Sequence, residues 1–210
     1  MALVGMAPEE MKPTALVLNI LVSGLGSLRF IRAGHFRWNS FWPFAVASIP
    51  AALLGGSAAT GDDLYRRILG VALCLVAFAL LLPRKEKESG RNPNLLAALG
   101  CGALIGYLSG LIGIGGGVFL SPLLILVGWA TTKESLGISA LFILVNSIAG
   151  LAGHLSSLSS LPTVTPWLAG AAFVGGAIGS GIASKWLVPH WLRKILVIVL
   201  LIAVAKLLIT

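Results

Sequence analysis

Residues 95–130 form an uncharged apolar run that no single straight helix explains. The run holds 36 residues without an Asp, Glu, Lys or Arg. As one helix it would extend about 54 Å, whereas the hydrocarbon core of a bilayer is about 30 Å thick. The chain must therefore bend, break or return within this run. The predicted position is Gly113-Ile114-Gly115-Gly116-Gly117 with Pro122 following, and we expect the whole stretch 113–122 to be non-helical, because glycine and proline disfavour helix interiors.

Composition places the rest of the chain in a membrane. Of the 210 residues, 57% are strictly apolar, a further 26 are glycine and only 10% are charged. A soluble domain has about 25% charged residues, and a chain of this size could not bury so much apolar surface. Other runs long enough to cross a bilayer occur at 13–31, 42–60, 66–83, 136–153, 166–184 and 191–209. The predicted fold is an all-α integral membrane protein, a polytopic helical bundle of about 7–8 transmembrane segments.

The net charge of +8 is distributed as membrane anchors rather than as a nucleic-acid surface. If the long run crosses the bilayer twice, or once with 117–130 as a second short span, one side carries 11 Lys and Arg and the other side 3. The loops that then share a side are 29–41, 84–94, 131–135 and 185–194. A single crossing gives seven on each side. Because cytoplasmic loops are enriched in Lys and Arg, the first arrangement is favoured, and nucleic acid is not an expected partner.

The two halves of the chain resemble each other. Residues 64–71 align with 191–198 at an offset of 127, and Asn19 and Asn146 fall in corresponding spans. Such repeats are common in secondary transporters. The predicted organisation is an N-terminal repeat at 1–83, a charged linker at 84–94 and a C-terminal repeat at 95–210. The first repeat has no counterpart of the glycine-rich segment and is expected to be incomplete.

The glycine-rich break is the predicted site of function. Irregular backbone at membrane depth persists only when it is buried in protein or lines an aqueous cavity. A broken helix also presents free N–H groups and the positive end of a helix dipole, which attract anions. The alternative is close helix packing through small residues, or a simple kink. The candidate substrate-binding residues of this segment are Ser109, Gly113, Gly115, Gly116, Gly117, Ser121 and Pro122.

Polar residues in two other spans complete the candidate site. Ser139 and Asn146 are two helical turns apart and share a face, and Asn19 is the counterpart of Asn146 in the first half. An asparagine in mid-span needs a hydrogen-bond partner, which is either another helix or a substrate; both readings stay open. His154, at the end of its span, is either a proton relay or a solvated side chain.

Enzymatic chemistry finds no support in the sequence. Apart from Lys206, near the C-terminal end, no acid or base lies in mid-span, and P-loop, HExxH and GxSxG motifs are absent. We therefore predict no catalytic residues, no metal site and no cofactor. Two functions remain open: a permease for a small anion, and a non-transporting assembly or anchoring protein whose glycines serve helix packing only.

The segment 110–155, GLIGIGGGVFLSPLLILVGWATTKESLGISALFILVNSIAGLAGHL, closely resembles the signature of the sulfite exporter TauE/SafE family of membrane permeases. The shared features are a glycine triplet, a proline several residues later, a short polar turn and a helix that carries Asn-Ser. The resemblance implies a secondary carrier of about eight spans built by duplication, which moves sulfite, sulfonates or related small organic anions. By this resemblance, the residues that occupy positions of the family motif are Gly115, Gly116, Gly117, Pro122 and Asn146.

From this resemblance, the expected location is the cell membrane, of the bacterial inner-membrane type. The expected partners are a small anionic substrate and the lipid bilayer, and a homo-oligomer is left open.

Overall fold

The computed structural model describes residues 8–58, 92–154 and 162–185, together with the single positions 70 and 198. These residues form six α-helices and no strand: α1 (Pro8–Arg32), α2 (Trp38–Ser57), α3 (Leu95–Ile112), α4 (Gly117–Val127), α5 (Thr132–Gly153) and α6 (Thr165–Lys185). Five of the described helices, all except α4, are long and apolar enough to cross a membrane. The predicted all-helical membrane architecture is confirmed.

Part of the predicted organisation concerns residues that the structure does not describe. The spans predicted at 66–83 and 191–209, and the linker up to residue 91, lie outside the described residues apart from the helical positions 70 and 198. The total of 7–8 segments and the division into two repeats therefore stay predictions.

Local capping sets the N-terminal ends of α3 and α5. The Asn94 side chain accepts hydrogen bonds from the backbone N–H groups of Leu96 and Ala97, at 3.0 and 3.4 Å. At α5, Thr131 and Glu134 form a capping box: the Thr131 hydroxyl accepts from the Glu134 N–H, and the Glu134 carboxylate accepts from the Thr131 N–H at 2.8 Å. Both caps satisfy N–H groups that a helix end leaves without an internal partner.

Helices α2 and α3 pack in parallel through a small-residue stripe. Glycines at every fourth position of α3 lie directly on the backbone of α2, so that a Cβ at any of them would overlap main-chain atoms. The contacts pair Gly102 with Phe44, Gly106 with Ser48 and Gly110 with Ala52. Both residue numbers rise together, which fixes the parallel direction. Close backbone approach of this kind is the usual way in which membrane helices gain van der Waals contact.

The long uncharged run doubles back on itself. Arg37, in the α1–α2 connection, donates to the Asn92 side chain at 3.3 Å and forms an ion pair with Glu134 at 3.9 Å. Asn92 precedes α3 and Glu134 follows α4, so both ends of the run lie at the same end of the bundle. The described parts of the loops 29–41, 84–94 and 131–135 therefore share a side, as the charge pattern predicts. With 11 residues, α4 is about 16 Å long, roughly half of the hydrocarbon core.

Helices α1 and α5 enclose the break between α3 and α4. They run antiparallel, since Phe30 lies near Gly137 at one end and Leu16 near Gly150 at the other. Helix α6 packs mainly against α1, where Gly176 meets the side chain of Val22. Beside the break, an apolar core that includes Phe44, Leu120, Leu124, Ile138 and Phe142 joins α2, α4 and α5.

Candidate functional site

The break in the long run is short and consists of left-handed glycines. Helix α3 ends at Ile112 with Gly113 as its C-cap, whose φ is 80°, and the chain reverses through Gly115 and Gly116 with φ of 81° and 74°. A residue with a Cβ adopts this backbone region only at a cost of about 1–2 kcal/mol. The tight reversal thus depends on glycine at these positions.

The predicted extent of the break is wrong at its C-terminal end. Helical structure resumes at Gly117, and Pro122 is a buried residue inside α4. Proline lacks an N–H and so withholds one hydrogen bond from the carbonyl four residues earlier, here that of Val118. The rest of α4 stays helical despite this loss, so the non-helical stretch is limited to 113–116 and does not extend to Pro122.

Neighbouring side chains fill the space around the glycines. A Cβ at Gly115 would lie 2.9 Å from the Ser147 Oγ and 3.3 Å from the Asn19 Nδ2. A Cβ at Gly116 would lie 2.9 Å from the Phe142 ring and 3.1 Å from the Ser109 Cβ. Asn19 also donates to the Gly113 carbonyl at 3.4 Å. Side chains from α1, α3 and α5 thus hold the reversed backbone in place.

The N-terminus of α4 opens into a cavity of about 310 Å³ between α1, α4, α5 and α6. The N–H groups of Phe119 and Leu120 both donate to the Gly116 carbonyl, at 3.1 and 3.2 Å. The N–H groups of Gly117 and Val118 precede them in the first turn, where a helix supplies no acceptor, and both residues line the cavity. At about 30 Å³ per water molecule, the cavity has room for a small anion and part of its hydration shell.

The polar lining of the cavity consists of neutral hydrogen-bonding groups, and none of its lining residues is charged. They are Asn19 and Ser23 on α1, Ser121 on α4, Ser139 on α5 and Ser180 on α6. The Ser121 hydroxyl donates to that of Ser139 at 2.7 Å, which leaves one proton of the pair for another acceptor. Ser23 is 5% exposed, and its Oγ has no partner among the described residues.

The structure divides the predicted site residues into two groups. Asn19, Gly117, Ser121 and Ser139 line the cavity. Behind them, the other candidates build the break and its surroundings without lining the cavity: Ser109, Gly113, Gly115, Gly116, Pro122 and Asn146.

Among the described residues, Asn146 forms its side-chain hydrogen bond within its own helix, and the choice between a helix partner and a substrate partner stays a prediction. Its side chain is completely buried, and its Nδ2 donates to the Phe142 carbonyl of its own helix at 2.9 Å. That carbonyl is one turn away and accepts one of the two amide protons, so the other proton stays available for a further acceptor. Its Oδ1 has no partner within the part of the chain that the structure describes.

Three residues of this region are not among the sequence-predicted candidates. Ser23 follows Asn19 by four residues, so the helical period places both on one face and could have identified it. Ser180 lines the cavity only because α6 packs on α1. Arg29 donates to the Ala177 carbonyl and, at 3.0 Å, to the Ser180 Oγ; both contacts depend on tertiary structure.

Two basic residues, Lys12 and His154, lie beside the C-terminal end of α3. Lys12 is 7% exposed and packs against Gly113. His154, which follows α5, is half-buried, and this desolvation lowers the pKa of its imidazole below the usual 6.5. A hydrogen bond with the Gly110 backbone acts in the opposite direction, and the charge of Lys12 lowers the pKa further. We expect His154 to be neutral at pH 7; a proton relay there stays untested.

Five membrane-length helices surround a reversed, glycine-built break, and a largely apolar cavity with a few polar side chains lies beside it; together these features define a multi-pass membrane protein. The profile of the family "Sulfite exporter TauE/SafE" matches residues 1–207. The chain belongs to this family of membrane transporters, which is not an enzyme family.

Curated relatives carry matching descriptions. The chain is 39% identical to the probable membrane transporter protein y4hK of Sinorhizobium fredii, over 99% of this chain and 86% of the relative. A probable membrane transporter protein of Xylella fastidiosa is 32% identical over 72% of this chain and 59% of its own length. For YunE of Bacillus subtilis, also a probable membrane transporter protein, the identity is 24% over 80% of this chain and 70% of the relative. No solved structure gives a significant match.

Proposed function

We propose that the protein is a secondary carrier for a small, sulfur-containing anion such as sulfite or a sulfonate, and that the anion binds in the cavity at the N-terminus of α4. The family description "sulfite exporter" supports the substrate class. A bundle of 7–8 spans in two related repeats is part of the same proposal, as is a bacterial inner-membrane location.

The observation that carries this proposal is the convergence of hydrogen-bond donors on a cavity without acidic residues. Gly117 and Val118, in the first turn of α4, line the same space as Asn19, Ser23 and Ser139, and each of these residues carries a hydrogen-bond donor that we assign to the anion. Donors of this kind, together with the positive end of a helix, favour an oxyanion over a cation. The three-oxygen head of a sulfite or sulfonate can accept from several donors at once.

The proposed transport cycle uses the break as a fixed site between moving helices. The reversal at 113–116 is tightly packed between α1 and α5 and is therefore suited to stay rigid. Access alternates when the surrounding helices rock against each other, as in other carriers with broken helices at their binding sites. On this proposal, Ser109 and Asn146 act by shaping the break, and Ser121 by positioning Ser139.

A liposome flux assay with sulfite, methanesulfonate, thiosulfate and sulfate tests the proposal. The wild-type protein is expected to move at least one of the first two anions. Gly116→Leu is expected to abolish this flux, because its side chain would overlap Phe142 and Ser109. Gly34→Leu is the matched control: its φ of 75° imposes the same backbone strain, but no atom lies within 4 Å of a Cβ there, so flux is expected to continue.

Two results would contradict the proposal. Wild-type flux in correctly inserted Gly116→Leu protein would show that transport does not depend on the structure of the break. Absence of flux for all four anions, with a membrane protein co-purifying instead, would favour the assembly or anchoring function.

A further inference from the structure

The proposed cavity lacks a formal positive charge in its lining, although its substrate would be an anion. Transferring an anion from water into a membrane interior costs several kcal/mol unless a counter-charge is near. Neutral donors offset part of this cost and also bind neutral molecules with sulfonyl or carbonyl oxygens. A cation next to the cavity would therefore increase the discrimination between a sulfonate and a neutral compound of the same shape.

Arg29 does not line the cavity itself, but its guanidinium is hydrogen-bonded to the lining residue Ser180. Two of its neighbours on α1, Gly26 and Phe30, line the cavity, and so do its partner Ser180 and the adjacent Gly176 on α6. Its guanidinium is partly buried, and Nη1 donates both to the Ala177 carbonyl and to the Ser180 Oγ at 3.0 Å. Ser180 in turn donates to the Gly176 carbonyl at 2.6 Å.

These partners of Arg29 are neutral acceptors, a backbone carbonyl and a hydroxyl. A guanidinium forms stronger hydrogen bonds with an oxyanion than with a carbonyl, and its planar fork matches two oxygens of a sulfonate or sulfite. An anion in the cavity would thus compete effectively for Arg29.

We propose that Arg29 is the residue that gives the cavity its selectivity for charge, and that its guanidinium exchanges its α6 contacts for the bound anion. The inference rests on the proposed anion-carrier function and adds a residue to it. It also assigns α6 a part in the cycle, since loss of the Arg29 contacts loosens α6 from α1 on the side of the cavity that faces the Arg37 end of the bundle. On this proposal, Arg29 determines selectivity for charge in addition to joining α1 and α6 through hydrogen bonds.

The test compares a charged and a neutral ligand of nearly the same shape. The ratio of affinities for methanesulfonate and methanesulfonamide is measured by binding to purified protein in detergent. In the wild type, methanesulfonate is expected to bind more tightly; in Arg29→Gln its affinity falls about tenfold or more, while that for the sulfonamide changes less than about twofold. Arg29→Lys keeps the charge without the planar fork and is expected to lie between them. Arg32→Gln is the matched control, because it removes the same charge from an exposed position in the last turn of α1 and is expected to leave the ratio unchanged.

The outcomes separate the two proposals. If the wild type neither binds nor transports any of the anions, the proposed function fails. If the wild type binds methanesulfonate and Arg29→Gln keeps the wild-type ratio, or loses both ligands equally, Arg29 only fastens α6 and the inference is overturned. If Arg29→Gln is not stable in detergent, Arg29→Lys decides the matter: a reduced ratio supports the role, and an unchanged ratio overturns it.

Discussion

Ser121 and Ser139 join α4 to α5 through a hydrogen bond of 2.7 Å between their hydroxyl oxygens, at the wall of the cavity. The two residues come from segments that the glycine break brings side by side. Within the pair, one hydroxyl proton remains for a further acceptor. The buried pair thus links two helices and, on the proposed function, donates this proton to the bound anion.

Removal of this donor is expected to weaken anion binding. Ser139→Ala takes away one hydrogen bond to a charged ligand, worth about 1.5–3 kcal/mol, so the affinity for sulfite or methanesulfonate should fall about tenfold or more. Ser135→Ala is the control, since Ser135 lies one turn earlier on the same helix, is equally buried and donates to the Thr132 carbonyl away from the cavity. Equal affinities of the two variants in a binding titration would contradict the assignment of the cavity as the anion-binding site.

The parallel contact of α2 and α3 is expected to tolerate no side chain at its centre. Gly106→Val places a branched side chain against the Ser48 backbone, and such overpacking costs about 1–3 kcal/mol or more. The melting temperature in detergent, or the yield of monodisperse protein, should fall clearly. Gly100→Val, on the same helix with no atom within 4 Å of its Cβ, should leave both near the wild-type values. A Gly106→Val protein as stable as Gly100→Val would show that the two helices do not pack in this register.

Cysteine labelling can check the doubled-back topology. In a background without Cys74 and Cys101, single cysteines at Gly34, Asn92 and Lys133 are expected to react with a membrane-impermeant maleimide from the same side of the membrane. A cysteine at Ser57, at the opposite end of α2, should react from the other side. Opposite labelling of positions 92 and 133 would mean that the run between them crosses the bilayer once.

Acid is expected to destabilise the protein partly through His154. The pKa of its imidazole is lowered in the folded state, so below the unfolded value of about 6.5 the unfolded chain binds more protons. Its contribution to stability is thus complete above that pH and is lost as the pH falls through the folded pKa. The melting temperature of the wild type in detergent should decrease between pH 7.5 and 5.5, and His154→Gln should reduce this decrease. An identical pH profile for both proteins would remove His154 as the cause.

The extent of the helices was largely predictable from the sequence. Apolar runs at 136–153 and 166–184 lie within α5 and α6, because a segment without charges and of bilayer length has one favourable structure in lipid. The break was also predictable, since three of the four residues at 113–116 are glycines, which accept left-handed backbone geometry that other residues resist. Its end at Gly117 was not, because whether Pro122 ends or merely interrupts a helix depends on the neighbours that bury it.

The composition of the cavity could be predicted only in part. The sequence placed Asn19, Gly117, Ser121 and Ser139 among the candidates, since polar and glycine residues are rare enough in apolar spans to be conspicuous. It did not separate them from Ser109 and Asn146, which are equally conspicuous but lie behind the cavity. That difference depends on which face of each helix meets the next, and the helical period fixes a face only relative to its own helix.

The sequence alone thus determined that this is a membrane protein, approximately where its helices run and where one of them must break, because each follows from local chemistry in a low-dielectric medium. The tertiary structure decided which residues of other helices surround the break. It brought Arg37 between Asn92 and Glu134, opened a cavity at the N-terminus of α4 and linked Arg29 to Ser180 in the cavity wall. These contacts join residues up to 151 positions apart, and such pairs are selected by packing between helices, which no local pattern records.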